Sequence, residues 1–117
     1  MERAVSNKPV IEPYRRHVML CCGKQCEPDG GRLLLQYLKQ RIAEEGLDSG
    51  KNAVRTNRAG CLGVCQQGPI MVIHPDGVWY CNLNRENIDR IVDEHLKQGK
   101  IVESLTFYSA EKYLNYI

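Results

Sequence analysis

Six cysteines stand in a chain of 117 residues, and four of them fall into two pairs. Cys21 and Cys26 are separated by four residues, and Cys61 and Cys65 by three. Each pair sits on turn chemistry rather than inside a regular element, so both pairs are free to reach one shared centre. Soft thiolates select zinc, copper(I) or iron–sulfur centres, and four thiolates around one cluster is an accepted iron–sulfur arrangement. Structural zinc uses ligand pairs two to four residues apart, so spacing alone leaves it open. Neither pair is the Cys-x-x-Cys knuckle, which favours iron–sulfur over zinc and over free redox thiols.

The residues between the cysteines fit an anionic centre. A four-thiolate cluster carries negative charge that backbone N–H groups help to meet. Gly60, Gly63 and Gly68 would let the main chain turn closely around sulfur without a Cβ in the way. Lys24 and Arg58 lie near the pairs and are either solvated charge or a means to tune the centre and guide a partner. Cys22 and Cys81 are read as non-ligands. Strand alternation turns Cys22 away from Cys21, and Cys81 follows Trp79 and Tyr80 in an apolar strand, where a small buried thiol is common. His17, His74 and His95 have no ligand-like neighbour in sequence, and Trp79 is expected as a core anchor.

The elements that position these residues follow from periodicity. Residues 1–15, with Pro9 and Pro13, form an extended arm. His17 to Cys21 is a short apolar run that suits a buried first strand. After the turn residues 27–31, with Asp29 as candidate N-cap, Leu34, Leu35, Leu38 and Ile42 recur at helical spacing between Arg32 and Glu45, and Gly46 ends that helix. Residues 53–57 form a second strand, and residues 58–69 a glycine-bearing loop. Residues 70–74 and 78–82 form third and fourth strands joined by Pro75-Asp76-Gly77 as a tight hairpin turn. Asn84 then caps a helix through Gln98, with Ile88, Ile91, Val92 and Leu96 on one face. The aromatic tail, residues 106–117, is expected to dock on the domain or on a partner. A βαβ half followed by a ββα half is a thioredoxin-like arrangement: an α/β fold with a mixed four-stranded sheet and helices packed on it.

Bulk properties bound the function. Apolar residues make up 43% and charged residues 26%, ordinary values for one globular domain. The formal charge of +2 is the balance of 16 basic and 14 acidic residues, and no basic stripe runs along the sequence. Nucleic acid is therefore not an expected partner. The longest apolar runs are strand length, so membrane insertion is not expected. The N-terminus lacks the apolar run of a secretory signal, which makes the cytoplasm the expected compartment. In that reducing setting cysteines point to metal or redox chemistry rather than to disulfides.

Val18-Met19-Leu20-Cys21, Cys26, and Gly60-Cys61-Leu62-Gly63-Val64-Cys65 about 35 residues later resemble the thioredoxin-like [2Fe–2S] ferredoxins. They are similar also to the small iron–sulfur subunit of NADH dehydrogenase. Gly68-Pro69-Ile70-Met71-Val72, Pro75-Asp76-Gly77-Val78-Trp79-Tyr80 and the closing Glu94-His95-Leu96 extend the likeness over residues 16–105, the expected domain. The resemblance implies one [2Fe–2S] cluster with Cys21, Cys26, Cys61 and Cys65 as its ligands, one pair on each iron. It also implies redox partner proteins and a homodimer. The four-residue gap between the first two ligands matches the dehydrogenase subunit better than the stand-alone ferredoxins. Pro69, ahead of the third strand, is a candidate cis proline, as such folds often have.

The function expected is one-electron transfer, with no general base and no catalytic residues. Two other classes compete. A cluster-based sensor of oxidants or iron would act through a protein partner. A thiol–disulfide oxidoreductase on the same fold would need a Cys-x-x-Cys at a helix start, which is absent.

Overall fold

The computed structural model describes residues 7–11, 13–21, 30–60 and 69–110. Five strands, β1 (Arg16–Cys21), β2 (Val54–Ala59), β3 (Met71–His74), β4 (Val78–Tyr80) and β5 (Thr106–Ser109), form one sheet in the order β2-β1-β3-β4-β5. β1 and β2 are parallel, and every other pair is antiparallel. A parallel pair needs a crossover, which α1 (Gly31–Glu44) supplies. The second helix, α2 (Arg85–Arg90), continues into one wide π-helical stretch, Ile91–Leu96.

Alternation along the strands decides which side chains the helices cover. Val18 and Leu20 of β1, Met71 and Ile73 of β3, and Val78 and Tyr80 of β4 share one core with Leu34, Leu35, Leu38 and Ile42 of α1. Ile88, Ile91, Val92 and Leu96 complete it from the second helix. Arg41 of α1 ties the two helices together, with Nε 2.8 Å from Asp89 and one terminal nitrogen 2.8 Å from Asp93. On the opposite face Cys21 and Ile70 form a small apolar group with the half-buried Trp79 packed against it.

The sequence-derived elements are present with shifted ends. Gly30, not Asp29, occupies the N-cap of α1, at φ 89° and without a side-chain cap; Asp29 lies outside the described residues. Asn84 caps α2 as expected, its Oδ1 accepting from the backbone N–H of Asn87 at 2.8 Å. The sheet has five strands rather than four. β5 adds to the β4 edge, with a register shift at Trp79/Tyr80, and its Phe107 ring meets Trp79 edge-on at 6.2 Å. Part of the aromatic tail thus docks on the domain itself. The cis peptide bond among the described residues is His74–Pro75; the Gly68–Pro69 bond lies outside them.

A polar chain, not foreseen from sequence, runs from Tyr80, in the row of Leu20 and Met71, to Arg16 at the start of β1. The backbone N–H of Val102 donates to the Tyr80 hydroxyl at 3.1 Å, so the Tyr80 proton is directed to His95 Nδ1 at 2.7 Å. His95 Nε2 then carries the ring proton and donates to Asp76 at 2.6 Å, and Arg16 Nε donates to the same carboxylate oxygen at 3.1 Å. His95 is fully buried. Burial, which outweighs the neighbouring Asp76 carboxylate, holds its pKa below the ordinary imidazole value and keeps the ring neutral. Burial also pushes Tyr80 up to about 12.

Candidate metal centre

Cys21 is the last residue of β1, and its position follows from strand pairing. Parallel register places it opposite Ala59, the last residue of β2. On its other side its backbone N–H donates to the carbonyl of Ile70, just before β3, at 2.8 Å. The described chain departs from this end of the sheet twice: after Cys21, with Gly30 the next described residue ahead of α1, and after Gly60, with Pro69 and Ile70 next described, beside the same cysteine.

Both helices also begin here. The helix that joins two parallel strands must run back along the sheet, so α1 starts at the end where β1 stops. β4 runs the same way as β1, because each is antiparallel to β3, so α2 starts at this end too. Helix N-termini carry partial positive charge and favour an anion. The end of the sheet that receives the cysteine loops is thus electrostatically suited to a negatively charged centre.

The Cys21 side chain is fully buried, and its thiol donates to the Gly60 carbonyl at 3.1 Å. Gly60 is the residue before Cys61, so the second cysteine pair leaves the fold from a point in contact with the first. A thiol proton is what a metal displaces on binding. A Cβ built on Gly60 would meet nothing within 4 Å, so this peptide has room to turn. The donor set and its surroundings fit an iron–sulfur cluster.

Of the candidate ligands, Cys21 is described; Cys26, Cys61 and Cys65 lie outside the described residues, as do Cys22, Lys24, Gly63 and Gly68. Among the described residues no group of three or more His, Cys, Asp or Glu side chains is gathered as a metal site. Cys81 stands one residue past β4, half-buried, with its Sγ 3.8 Å from the Leu105 carbonyl, rather than inside the strand as expected. His17 bonds Asn57 at 2.8 Å, and His74 is exposed at the end of β3.

The profile of the thioredoxin-like [2Fe–2S] ferredoxins matches residues 7–96. This chain belongs to that family. It is similar to a 2Fe-2S ferredoxin of Clostridium pasteurianum, 34% identical over 98 residues, with 78% of this chain and 94% of the relative covered. A 2Fe-2S ferredoxin of Aquifex aeolicus (strain VF5) is 50% identical over 98 residues, covering 77% and 86%. Among solved structures, a thioredoxin-like [2Fe–2S] ferredoxin from Aquifex aeolicus superposes with a TM-score of 0.73 at 30% identity, covering 84% of this chain and 94% of that one. These relatives are ferredoxins, electron-transfer proteins rather than enzymes, and the α/β thioredoxin-like fold expected from the element order is the fold observed.

Proposed function

We propose that the chain carries one electron at a time on a single [2Fe–2S] cluster held by Cys21, Cys26, Cys61 and Cys65. One observation supports this above others: the parallel β1/β2 register, which puts the Cys21 thiol 3.1 Å from the carbonyl of the residue preceding Cys61. Two cysteine pairs nearly forty residues apart in sequence thereby start from adjoining points.

The cluster, when bound, supplies a diferric and a mixed-valence state that differ by one electron. The protein's part is to hold the four sulfurs, to exclude water around Cys21 and to set the local field through the two helix starts. No proton has to move. Expected company is a redox partner protein and a second copy of the chain, not a nucleic acid, in the reducing cytoplasm. Among the described residues no helix is long and apolar enough to cross a membrane.

The test is anaerobic purification with iron and sulfide analysis and with visible and electron paramagnetic resonance spectra. Two irons and two sulfides per chain are expected. Cluster content should collapse in Cys21→Ser and survive in Cys22→Ser. Zinc without sulfide, or loss only in Cys22→Ser, would overturn the assignment.

A further inference from the structure

We propose that the exposed edge of β2, through Arg55 and Arg58, is the docking surface for an acidic-faced redox protein. The proposal rests on the electron-carrier function above and adds the chemistry of the partner. Among the described residues β2 ends the sheet and pairs with β1 alone. Arg55 and Arg58 are both exposed and occupy alternate faces of this strand, so they flank its open edge. No carboxylate among the described residues pairs with either.

Four cations elsewhere have carboxylate partners. Arg16 is paired with Asp76, Arg90 with Glu94, Lys97 with Glu45, and Arg41 with Glu45, Asp89 and Asp93. These acidic partners sit on the helices and the hairpin, whereas β2 carries two arginines and no carboxylate. Lys51, three residues before β2, adds a further exposed cation on that side.

Position makes the edge useful for electron transfer. Arg58 stands opposite Leu20, one register step from Cys21. With strands about 4.8 Å apart and a rise of about 3.3 Å per residue, the Cα atoms of Arg58 and Cys21 are roughly 6 Å apart. A partner drawn to these guanidinium groups arrives beside the cluster loops. Charges at the rim of an interface act mainly on association rate. The competing role is defensive, since charge on an edge strand deters pairing with other strands.

The experiment uses the cluster-loaded chain, reduced and mixed anaerobically with an acidic b-type cytochrome or with the basic mitochondrial c-type cytochrome. In each reaction the mixed-valence cluster gives up one electron and ferric haem becomes ferrous, which the haem absorbance follows. At low salt, Arg55→Glu/Arg58→Glu should slow the acidic cytochrome by roughly tenfold and speed the basic one, with both effects fading as salt rises. The visible spectrum of the variant should match the parent, and the rates are compared after allowing for the midpoint potential measured for each, which the nearby charge reversal at Arg58 should lower. Lys39→Glu/Lys100→Glu makes the same change in net charge at positions outside β2 and should leave both rates within about twofold. Equal effects of the two variant pairs, or no effect of either, overturn the docking surface. A chain that holds no cluster overturns the carrier function and the docking surface with it.

Discussion

Removing the Asp76 carboxylate should cost far more stability than its place in a hairpin turn suggests. Its side chain accepts from Arg16 at 3.1 Å and from His95 at 2.6 Å. Arg16 is 8% exposed and His95 fully buried, so Asp76→Ala leaves two donors with little water to turn to. Charge-assisted hydrogen bonds contribute about 1.5–3 kcal/mol each. Stripping one partner from a buried pair costs about 3–5 kcal/mol. Asp76 itself is 19% exposed, so water re-enters in part and the lower end applies, about 3 kcal/mol. Asp76→Asn keeps one acceptor oxygen and should lose only about half of that. The assay is anaerobic urea unfolding read by circular dichroism and by emission of the single tryptophan, Trp79. With an m-value of about 1–3 kcal/mol per molar, the midpoint should fall by roughly 1–3 M for Asp76→Ala, with m unchanged.

The same network fixes the acid limb of stability. His95 has its folded-state pKa lowered, mainly by burial, so the unfolded chain binds the extra proton. Stability from the neutral ring is therefore complete above about pH 6.5 and falls as pH drops toward the folded value, by at most about 1.4 kcal/mol per unit. Burial pushes Asp76 up, but hydrogen bonds from His95 and Arg16 outweigh it and hold the group below its ordinary range. Its contribution persists until lower pH and is then lost in the same direction. His95→Gln should flatten the loss between pH 6.5 and 5. An Asp76→Ala variant within about 0.5 kcal/mol of the parent, or an unchanged acid limb in His95→Gln, would refute this account.

Tyr80→Phe removes the acceptor of the Val102 N–H and the donor to His95, and should cost about 1–3 kcal/mol by the same urea assay. Asn84→Ala deletes the cap of α2 and should cost about 1 kcal/mol, read as a lower urea midpoint. Gly77→Ala places a Cβ 2.8 Å from that of Ala110 at φ 70°; amide exchange in β5 should accelerate more than in β1. Asp76→Asn should raise the cluster potential only slightly. Arg16 and Cys21 are five steps apart on β1, or roughly 17 Å. A unit charge at that range is worth about 0.2–1 kcal/mol before salt screening, so redox titration should show a shift below about 45 mV.

Much of the fold is legible because its signals are local. The leucine spacing of α1, the Asn84 cap and the Pro75-Asp76-Gly77 turn each declare themselves within a few residues. β5 is hidden for a physical reason. Phe107 and Tyr108 are adjacent, at an irregular pairing, and 44% and 41% exposed, so neither alternation nor burial marks a strand. His95 is hidden differently. It occupies a core-facing position of an amphipathic helix, and only its contacts with residues 15 and 19 positions away, Tyr80 and Asp76, explain a buried imidazole. The cysteine pairs could be picked out by spacing, but that Cys21 lies beside Gly60, the residue before Cys61, could not, because it depends on which strands are parallel. The cations of the β2 side are close in sequence, but that they stand at a sheet edge follows only from the strand order.

These features divide β1 between two tasks. Its first residue, Arg16, is held in the polar chain, and its last, Cys21, opens the end where the cysteine loops and both helix starts meet. The strand between is buried on the helix side through Val18 and Leu20. An electron carrier benefits from this separation. A cluster that gains and loses one electron changes charge by one unit, and a titrating group beside it would couple that charge to protons. Here the buried His95 ring bonds toward Asp76 and Arg16 at the start of β1, Tyr80 reaches it from the row of Leu20 and Met71, and Cys21 packs against Ile70 and Trp79. The charged pair Arg16–Asp76 is thus kept five steps along β1 from Cys21, where it couples only weakly to the charge of the proposed redox site.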